Sequence, residues 1–222
     1  MCGRFAFYSP SEATAALFGV TTSTEVVPRY NIAPTQFIAA VRRDEQNTPV
    51  LKMLRWGLVP FWAKDPSIGN RMINARSETV AVKPSFRSAY RKRRCLILAD
   101  GFYEWRKTVD GKTPYFISRA DGSPFAFAGL WESWSSKDSD ESLESTAIIT
   151  AAASDFMAQL HQRIPVVIHP DLADRWLDGD PELLSEVIEN SPDFRAWPVD
   201  RRVNNARNEG AELIDRAGEM IS

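Results

Sequence analysis

Residues 95–131, CLILADGFYEWRKTVDGKTPYFISRADGSPFAFAGLW, alternate short apolar runs with turn-forming pairs, and their reading decides the fold class. Asp110-Gly111 and Asp121-Gly122 each place a residue that tolerates positive φ between strand-like runs, the strongest hairpin signal a single sequence offers. The pattern predicts a meander of strands near 95–99, 102–108, 113–119 and 125–131. On the C-terminal side, 147–152 and 164–168 read as buried strands flanking a short helical turn at 154–161. Helices follow near 170–178 and 181–190, the second opened by Pro181. On the N-terminal side, Ser9 as cap, Pro10 at the first helical position, Glu12 closing a capping box and Gly19 as stop predict a helix with Ala13, Ala16 and Leu17 on its apolar face. Residues 132–146 (ESWSSKDSDESLEST) are acidic and serine-rich, and are expected to form an exposed loop. Strands dominate the middle and helices lie around them without a βαβ rhythm. The fold class expected is therefore α+β, with a mixed, partly barrel-like sheet core surrounded by short helices. With no internal repeat, low-complexity tract or Gly/Ser linker, residues 1–222 read as a single domain.

Composition narrows the function classes. In 222 residues, 44% are hydrophobic and 25% charged, which is ordinary globular usage, and no apolar stretch approaches the length of a membrane span. A formal charge of −2 excludes a polycation that grips nucleic acid by bulk charge, while leaving room for a local basic groove. Met1-Cys2-Gly3-Arg4-Phe5 lacks the basic and apolar segments of a secretory signal, so a reducing cytoplasm is the expected compartment. Cys2, Cys95, His161 and His169 are far apart and in no paired spacing, so neither a metal site nor another cofactor is expected.

Cys2 carries the most distinctive chemistry. Loss of Met1 would expose an α-amine and a thiol on one residue, a 1,2-aminothiol. The α-amine titrates near 8, so a sizeable neutral fraction exists at cytoplasmic pH, whereas a lysine amine near 10.4 stays protonated. Such an amine attacks aldehydes to give a Schiff base, and the adjacent thiol can close on the imine carbon as a thiazolidine. Position alone leaves equally open that Cys2 is a small apolar residue of an N-terminal strand. Cys95, within Arg94-Cys95-Leu96-Ile97-Leu98, reads as a buried strand residue.

Other short signals have a structural and a functional reading side by side. Around Tyr30-Asn31-Ile32-Ala33-Pro34 and Trp56-Gly57-Leu58-Val59-Pro60-Phe61-Trp62, aromatics alternate with Arg29, Arg55 and Lys64, as in single-strand binders, although any one tryptophan can equally fill the core. Asp100-Gly101-Phe102-Tyr103-Glu104-Trp105 sets a carboxylate between aromatics in a strand, where burial would raise its pKa and suit it to proton transfer; an outward Glu is the plainer alternative. His161 ends a helical turn and becomes a second acid/base group only if it shares a pocket with Cys2 and Glu104. The run Arg87, Arg91, Lys92, Arg93, Arg94 reads as a solvated helix face. His169 reads as a surface residue.

These words together resemble the SRAP (SOS-response-associated peptidase) family over nearly the whole chain. The resemblance is carried by Met1-Cys2-Gly3-Arg4-Phe5, Arg29 to Pro34, Trp56 to Pro60, Asn74-Ala75-Arg76-Ser77-Glu78, Arg94 to Trp105, His161-Gln162-Arg163-Ile164-Pro165 and Val203-Asn204-Asn205. It implies recognition of abasic sites in single-stranded DNA, loss of Met1 by self-processing or an aminopeptidase, and a thiazolidine crosslink from Cys2 to the sugar aldehyde. That crosslink would shield the site during the DNA damage response, be reversible, and leave some strand-cleaving lyase activity. By position, Cys2 is the nucleophile, Glu104 shuttles protons and assists reversal, Asn74 orients Cys2 and the opened sugar, and His161 promotes ring opening. Arg4, Arg76, Thr150 and Arg163 match residues that hold flanking phosphates. Pro34 and the Trp62 neighbourhood resemble an apolar wedge that kinks the strand. The resemblance further implies a monomer, with no membrane partner, that joins the nucleoid when bound to DNA.

Two other readings remain distinct. An N-terminal-cysteine amidohydrolase also begins Met-Cys-Gly, and would hydrolyse glutamine without touching DNA. A noncovalent reader of single-stranded or modified DNA would bind unchanged after Cys2→Ala, with salt-sensitive affinity.

Overall fold

The computed structural model describes residues 2–21, 25–109, 111–136 and 138–221. Along the chain come β1 (Phe5–Phe7), α1 (Ser11–Ala16), β2 (Arg29–Ile32), β3 (Phe37–Arg43), β4 (Pro49–Trp56) and β5 (Asn74–Arg76). Helix α2 (Arg87–Lys92) leads into β6 (Arg94–Ala99), β7 (Gly101–Thr108), β8 (Gly111–Arg119), β9 (Phe125–Ser135) and β10 (Ser142–Ala152). Then follow α3 (Asp155–Ala158), β11 (Arg163–Pro165), β12 (Val167–Ile168), α4 (Ala173–Leu177), α5 (Leu183–Glu189) and β13 (Phe194–Pro198).

The strands form two sheets. One is antiparallel, in the order β13-β8-β7-β1-β2. The other runs β11-β10-β4-β3-β6-β9-β12, and a further β9–β10 pairing closes β10, β4, β3, β6 and β9 into a ring. Strand β10 is the hub: it lies parallel to β4 and β5 on one side and antiparallel to β9 and β11 on the other. Residues 145–151 of this strand are buried throughout, as expected of a strand covered on both faces, with Ser145, Thr146 and Thr150 as its buried hydroxyls. The α+β architecture with a mixed, barrel-like core is thus the observed one.

Aromatic rings join the two sheets. Phe5 of β1 meets Trp56 of β4 edge-on at 5.2 Å and Phe127 of β9 at 5.7 Å, while Phe102 of β7 meets Phe127 and Phe194 at 6.0 Å. Such pairs add about 0.5–1.5 kcal/mol each beyond their buried area, so the strands that open next to Cys2 and Glu104 are anchored in the core. Trp56 is fully buried, and its indole N–H donates to Ile73 O at 3.0 Å, just before Asn74. Gly57 follows at φ +129°, where a Cβ would come within 2.5 Å of Gly69 O; the Trp56-Gly57 pair therefore fixes the approach of the 69–74 segment.

Three expectations are corrected. The strands near 95–131 occur where expected, but they are not a meander. β6 and β9 pair with each other in the barrel, and β7 and β8 pair in the other sheet. Hydrophobic runs specify strands without naming partners: Asp100-Gly101 carries the chain from one sheet to the other, and Asp121-Gly122 turns it back without pairing β8 to β9. The β7–β8 hairpin does form, with Thr108 opposite Gly111; Asp110 lies outside the described residues. In α1, Ser9 does not cap. Its hydroxyl bonds Asp100 instead, Pro10 takes the cap position, and the buried face is Ser11, Thr14 and Ala15, with Ala13, Ala16 and Leu17 exposed. Ser11 is drawn inward because its hydroxyl accepts from Val26 N at 2.9 Å. Finally, 132–146 is not a loop. β9 runs through Ser135 and β10 begins at Ser142, paired Ser142↔Ser135 through Ile148↔Gly129. The acidic composition hid an alternation: Glu132 and Trp134 are buried, the first against Arg93 at 2.7 Å and the second donating to Ala63 O at 2.7 Å. Lys137 lies outside the described residues. Among the described residues no helix is long and apolar enough to cross a membrane.

Candidate active site

Strand register brings the first residues to Glu104. β1 pairs antiparallel with β7 as Phe5↔Phe102 and Ala6↔Gly101, and Tyr103 N donates to Arg4 O at 2.9 Å. Continued outward, the same register sets Gly3 level with Glu104 and Cys2 beside it. Cys2 is fully buried. Asn74 approaches from the other sheet: β5 is held against β10 as Ile148↔Asn74, and the Asn74 side-chain amide donates to Cys2 O at 2.7 Å. Three residues from the two sheets therefore converge where β1 begins.

Their electrostatics follow from burial. Glu104 is 4% exposed, and desolvation pushes its carboxyl up to about 7, opposed in part by the positive charge of the chain's amino terminus. Burial likewise pushes the Cys2 thiol far above its usual range, and the neighbouring Glu104 carboxylate pushes it further. The thiol is thus protonated at neutral pH, next to a carboxyl poised to gain or lose a proton there. His161 follows α3, where its Nδ1 accepts from Arg163 N at 3.0 Å, which leaves Nε2 to carry the proton of the neutral ring. Its pKa is lowered, first by burial and then by the amino-terminal charge that also acts on Glu104. One charged group is therefore sensed by both.

The four residues matched to phosphate holding differ widely. Arg76 is exposed, at the end of β5 opposite Thr150. Thr150 is fully buried, and Arg163 reaches its Oγ1 at 3.3 Å and its backbone O at 2.6 Å. Arg163 also grips Glu78 with both terminal nitrogens, at 2.9 and 3.0 Å. Arg4 donates to Asn31 Oδ1 and Val203 O, both at 2.7 Å, and lies 5.9 Å from the Trp105 ring. Pro34 is half-buried in a turn at the end of β2, whereas Phe61 and Trp62 are 55% and 47% exposed. Among the described residues no cluster of His, Cys, Asp or Glu is arranged to hold a metal ion.

Residues without an assigned role in the sequence prove to hold this site together. Asn31 is fully buried; besides accepting from Arg4, its amide donates to Asn205 O at 3.0 Å and Asn208 O at 2.8 Å. The Arg29 to Pro34 word and the Val203-Asn204-Asn205 word are therefore two sides of one clamp behind Arg4. Asp100 accepts from Tyr8 N at 2.6 Å, from Ser9 N at 2.8 Å and from the Ser9 hydroxyl, which fixes the exit of β1. An acid set between apolar runs was the available signal for Asp100; nothing local marks Asn31.

The model of the SOS response associated peptidase (SRAP) family matches residues 1–206. The abasic site processing protein YoaM of Bacillus subtilis (strain 168) is 40% identical, across 99% of this chain and 100% of its own length. The abasic site processing protein YedK of Escherichia coli (strain K12) is 35% identical, across 96% and 99%. A solved protein from Bacteroides thetaiotaomicron superposes with a TM-score of 0.85 over 97% of this chain and 100% of that one; at 22% identity it supports the fold. A solved phage-related protein from Bordetella bronchiseptica, 30% identical, superposes at 0.70 over 90% and 95%. With the family model spanning residues 1–206 and a relative 40% identical over nearly the whole of both chains, the chain belongs to the SRAP family.

Proposed function

We propose that this protein processes abasic sites in single-stranded DNA, joining Cys2 to the sugar aldehyde as a thiazolidine once Met1 is removed. The observation that carries the reading is the convergence of Cys2, Asn74 and a Glu104 carboxyl near pKa 7, in a chain whose relatives are named abasic site processing proteins. In this reading His161 donates a proton that opens the closed hemiacetal. The neutral amine of Cys2 adds to C1′ and expels water, giving an imine. The Cys2 thiol then adds to the imine carbon, its S–H proton leaving through Glu104 to the ring nitrogen, so that aldehyde and aminothiol become thiazolidine and water. A thiol kept protonated by burial makes that relay necessary. Asn74 holds the Cys2 carbonyl and so aims both nucleophiles. Run backwards through Glu104, the same steps release the DNA. An imine that fails to close supports β-elimination, which gives lyase activity, and removal of Met1 by the same acid/base groups gives the self-processing peptidase activity.

Arg76 is the phosphate contact that needs no rearrangement, while Arg4 and Arg163 exchange or share their present partners. The exposed Phe61 and Trp62, with Pro34, supply the apolar surface against which the strand kinks. The protein acts as a monomer. The test is a single-stranded oligonucleotide with one abasic site, incubated with protein shown by mass spectrometry to lack Met1. A heat- and denaturant-stable adduct, absent with intact DNA, is expected. No adduct from protein that still binds the oligonucleotide would overturn the covalent reading and favour a noncovalent reader.

A further inference from the structure

Two of the arginines matched to phosphates are held in opposite ways. Arg163 is gripped by the Glu78 carboxylate through both terminal nitrogens, so its charge is balanced within the protein. Arg4 forms no ion pair among the described residues. The two protons of its Nη1 go to neutral oxygens, Asn31 Oδ1 and Val203 O, both at 2.7 Å. Its Nε is buried without a partner, and Nη2 makes no hydrogen bond to the described residues. The carboxylate that acts on Arg4, Glu209, does so at a distance, since Tyr30 N at 2.9 Å and Arg29 at 3.4 Å hold it. The Trp105 ring, 5.9 Å from the guanidinium, is itself fixed by its indole bond to Asn204 Oδ1 at 2.7 Å.

Asn31 is fully buried and both of its polar atoms are engaged: Oδ1 accepts from Arg4, while Nδ2 donates to Asn205 O at 3.0 Å and Asn208 O at 2.8 Å. Of side chains this size, an amide alone accepts from a guanidinium and donates to two carbonyls at once. An aspartate here would accept from Arg4 but set a carboxylate against the carbonyls of 205 and 208. It would also form with Arg4 the charge-assisted pair that a phosphate has to form. A neutral acceptor fixes the direction of the guanidinium and leaves its positive charge to a ligand.

We infer that Asn31 is a positioning residue for Arg4: it aims the guanidinium at a backbone phosphate of the bound strand and, being uncharged, leaves the positive charge for that phosphate. The inference rests on the DNA reading given above. The test is fluorescence anisotropy with a single-stranded oligonucleotide carrying one tetrahydrofuran residue, an abasic analogue without an aldehyde, so the result stands whether or not Cys2 forms an adduct. R4M should weaken binding by about tenfold, as loss of one charge-assisted phosphate contact does. N31A should weaken it by a similar factor, and R4M/N31A should bind no more weakly than R4M alone, because Asn31 acts through Arg4. N31S carries the same cycle if N31A does not fold. N31D keeps the size and the acceptor, yet should bind at least as weakly as N31A. Both N31D and R4M should flatten the log–log salt dependence by about 0.7, the share of one single-strand phosphate. Losses from R4M and N31A that multiply in the double variant would assign Asn31 to the 203–208 segment instead and overturn the inference. So would an R4M variant, or an N31D variant, that binds the analogue as tightly as the wild type.

Discussion

Cys2 and Cys95 are both fully buried free thiols, and burial raises the pKa of both, to about 12 for Cys95. They differ in their company. Cys95 lies inside the barrel, 3.3 Å from the Thr146 hydroxyl and facing Gly129 across β9, where a Cβ on the glycine would come within 2.7 Å of its sulfur. Among the described residues the charged group that acts on it is Arg42, behind burial and the Thr146 hydroxyl in effect. Cys2 lies where two sheets meet at a chain end, with a carboxyl titrating near 7 and an amide on its carbonyl. Desolvation by itself therefore makes a thiol inert. In the function proposed above, what would turn the same desolvation into reactivity at Cys2 is a neighbouring carboxyl that desolvation has also tuned.

The largest test of that contrast is Cys2→Ala. It removes one nucleophile and the ring-closing step, so the denaturant-stable adduct should fall by at least ~1000-fold while noncovalent binding of the oligonucleotide persists. Quantitative denaturing gels measure the first and anisotropy the second. An adduct of wild-type stability in this variant would erase the difference between the two cysteines.

Glu104→Gln comes next, because it removes the acceptor while keeping the shape. Adduct formation and reversal should both slow by about 10- to 100-fold. The rate limb near pH 7 should also vanish, leaving a single rise from the amine near 8. The same variant has a stability signature whose sign is fixed. A carboxyl that ordinarily titrates at 4.5, and near 7 in the folded chain, binds its proton more tightly when folded. Folding stability therefore falls as pH rises from about 4.5 to 7, by about 3 kcal/mol in all, and stays low above it. Denaturant titrations should find that decline in the wild-type chain and lack it in Glu104→Gln, which gains stability above pH 7 as it loses activity. A pH-independent difference between the two would mean that Glu104 is not tuned by burial.

Asn74→Ala should have a smaller effect, about tenfold in adduct rate, since it loses one hydrogen bond to the Cys2 carbonyl and leaves both nucleophiles in place. A comparable loss from Asn74→Asp, which accepts but does not donate, would tie the effect to the donated bond; full activity in both variants would remove Asn74 from the positioning of Cys2.

Much of this was legible along the chain because each part is written locally. The strands of the 95–131 region, the burial of Cys95 and the raised Glu104 carboxyl follow from runs a few residues long. What was not legible depends on partners distant in sequence. Nothing in Arg94 to Trp105 says that β6 and β7 belong to different sheets, and Glu132 and Trp134 read as solvent-facing until Arg93 and Ala63 O are known to meet them. The same holds at the site. Cys2, Asn74, Glu104 and His161 could be picked out from their words, yet the engagement of Arg4 by Asn31 and of Arg163 by Glu78 crosses 27 and 85 positions. Side chains matched to phosphates thus carry internal partners that composition conceals.

The smallest expected effect falls on the inert member of the pair. Cys95→Ala deletes one buried sulfur and its contact with Thr146, whose hydroxyl keeps its 2.8 Å bond to Leu130 O and so is not orphaned. The cavity is small and Gly129 packs against it, so the cost should be about 1 kcal/mol, read as a shift of the denaturation midpoint with an unchanged slope. Adduct yield and rate should match the wild type. If Cys95→Ala instead slowed the adduct, the barrel interior and the strand end would be coupled through β10, the strand that carries both Thr146 and the partner of Asn74. The two thiols would then differ in degree and not in kind.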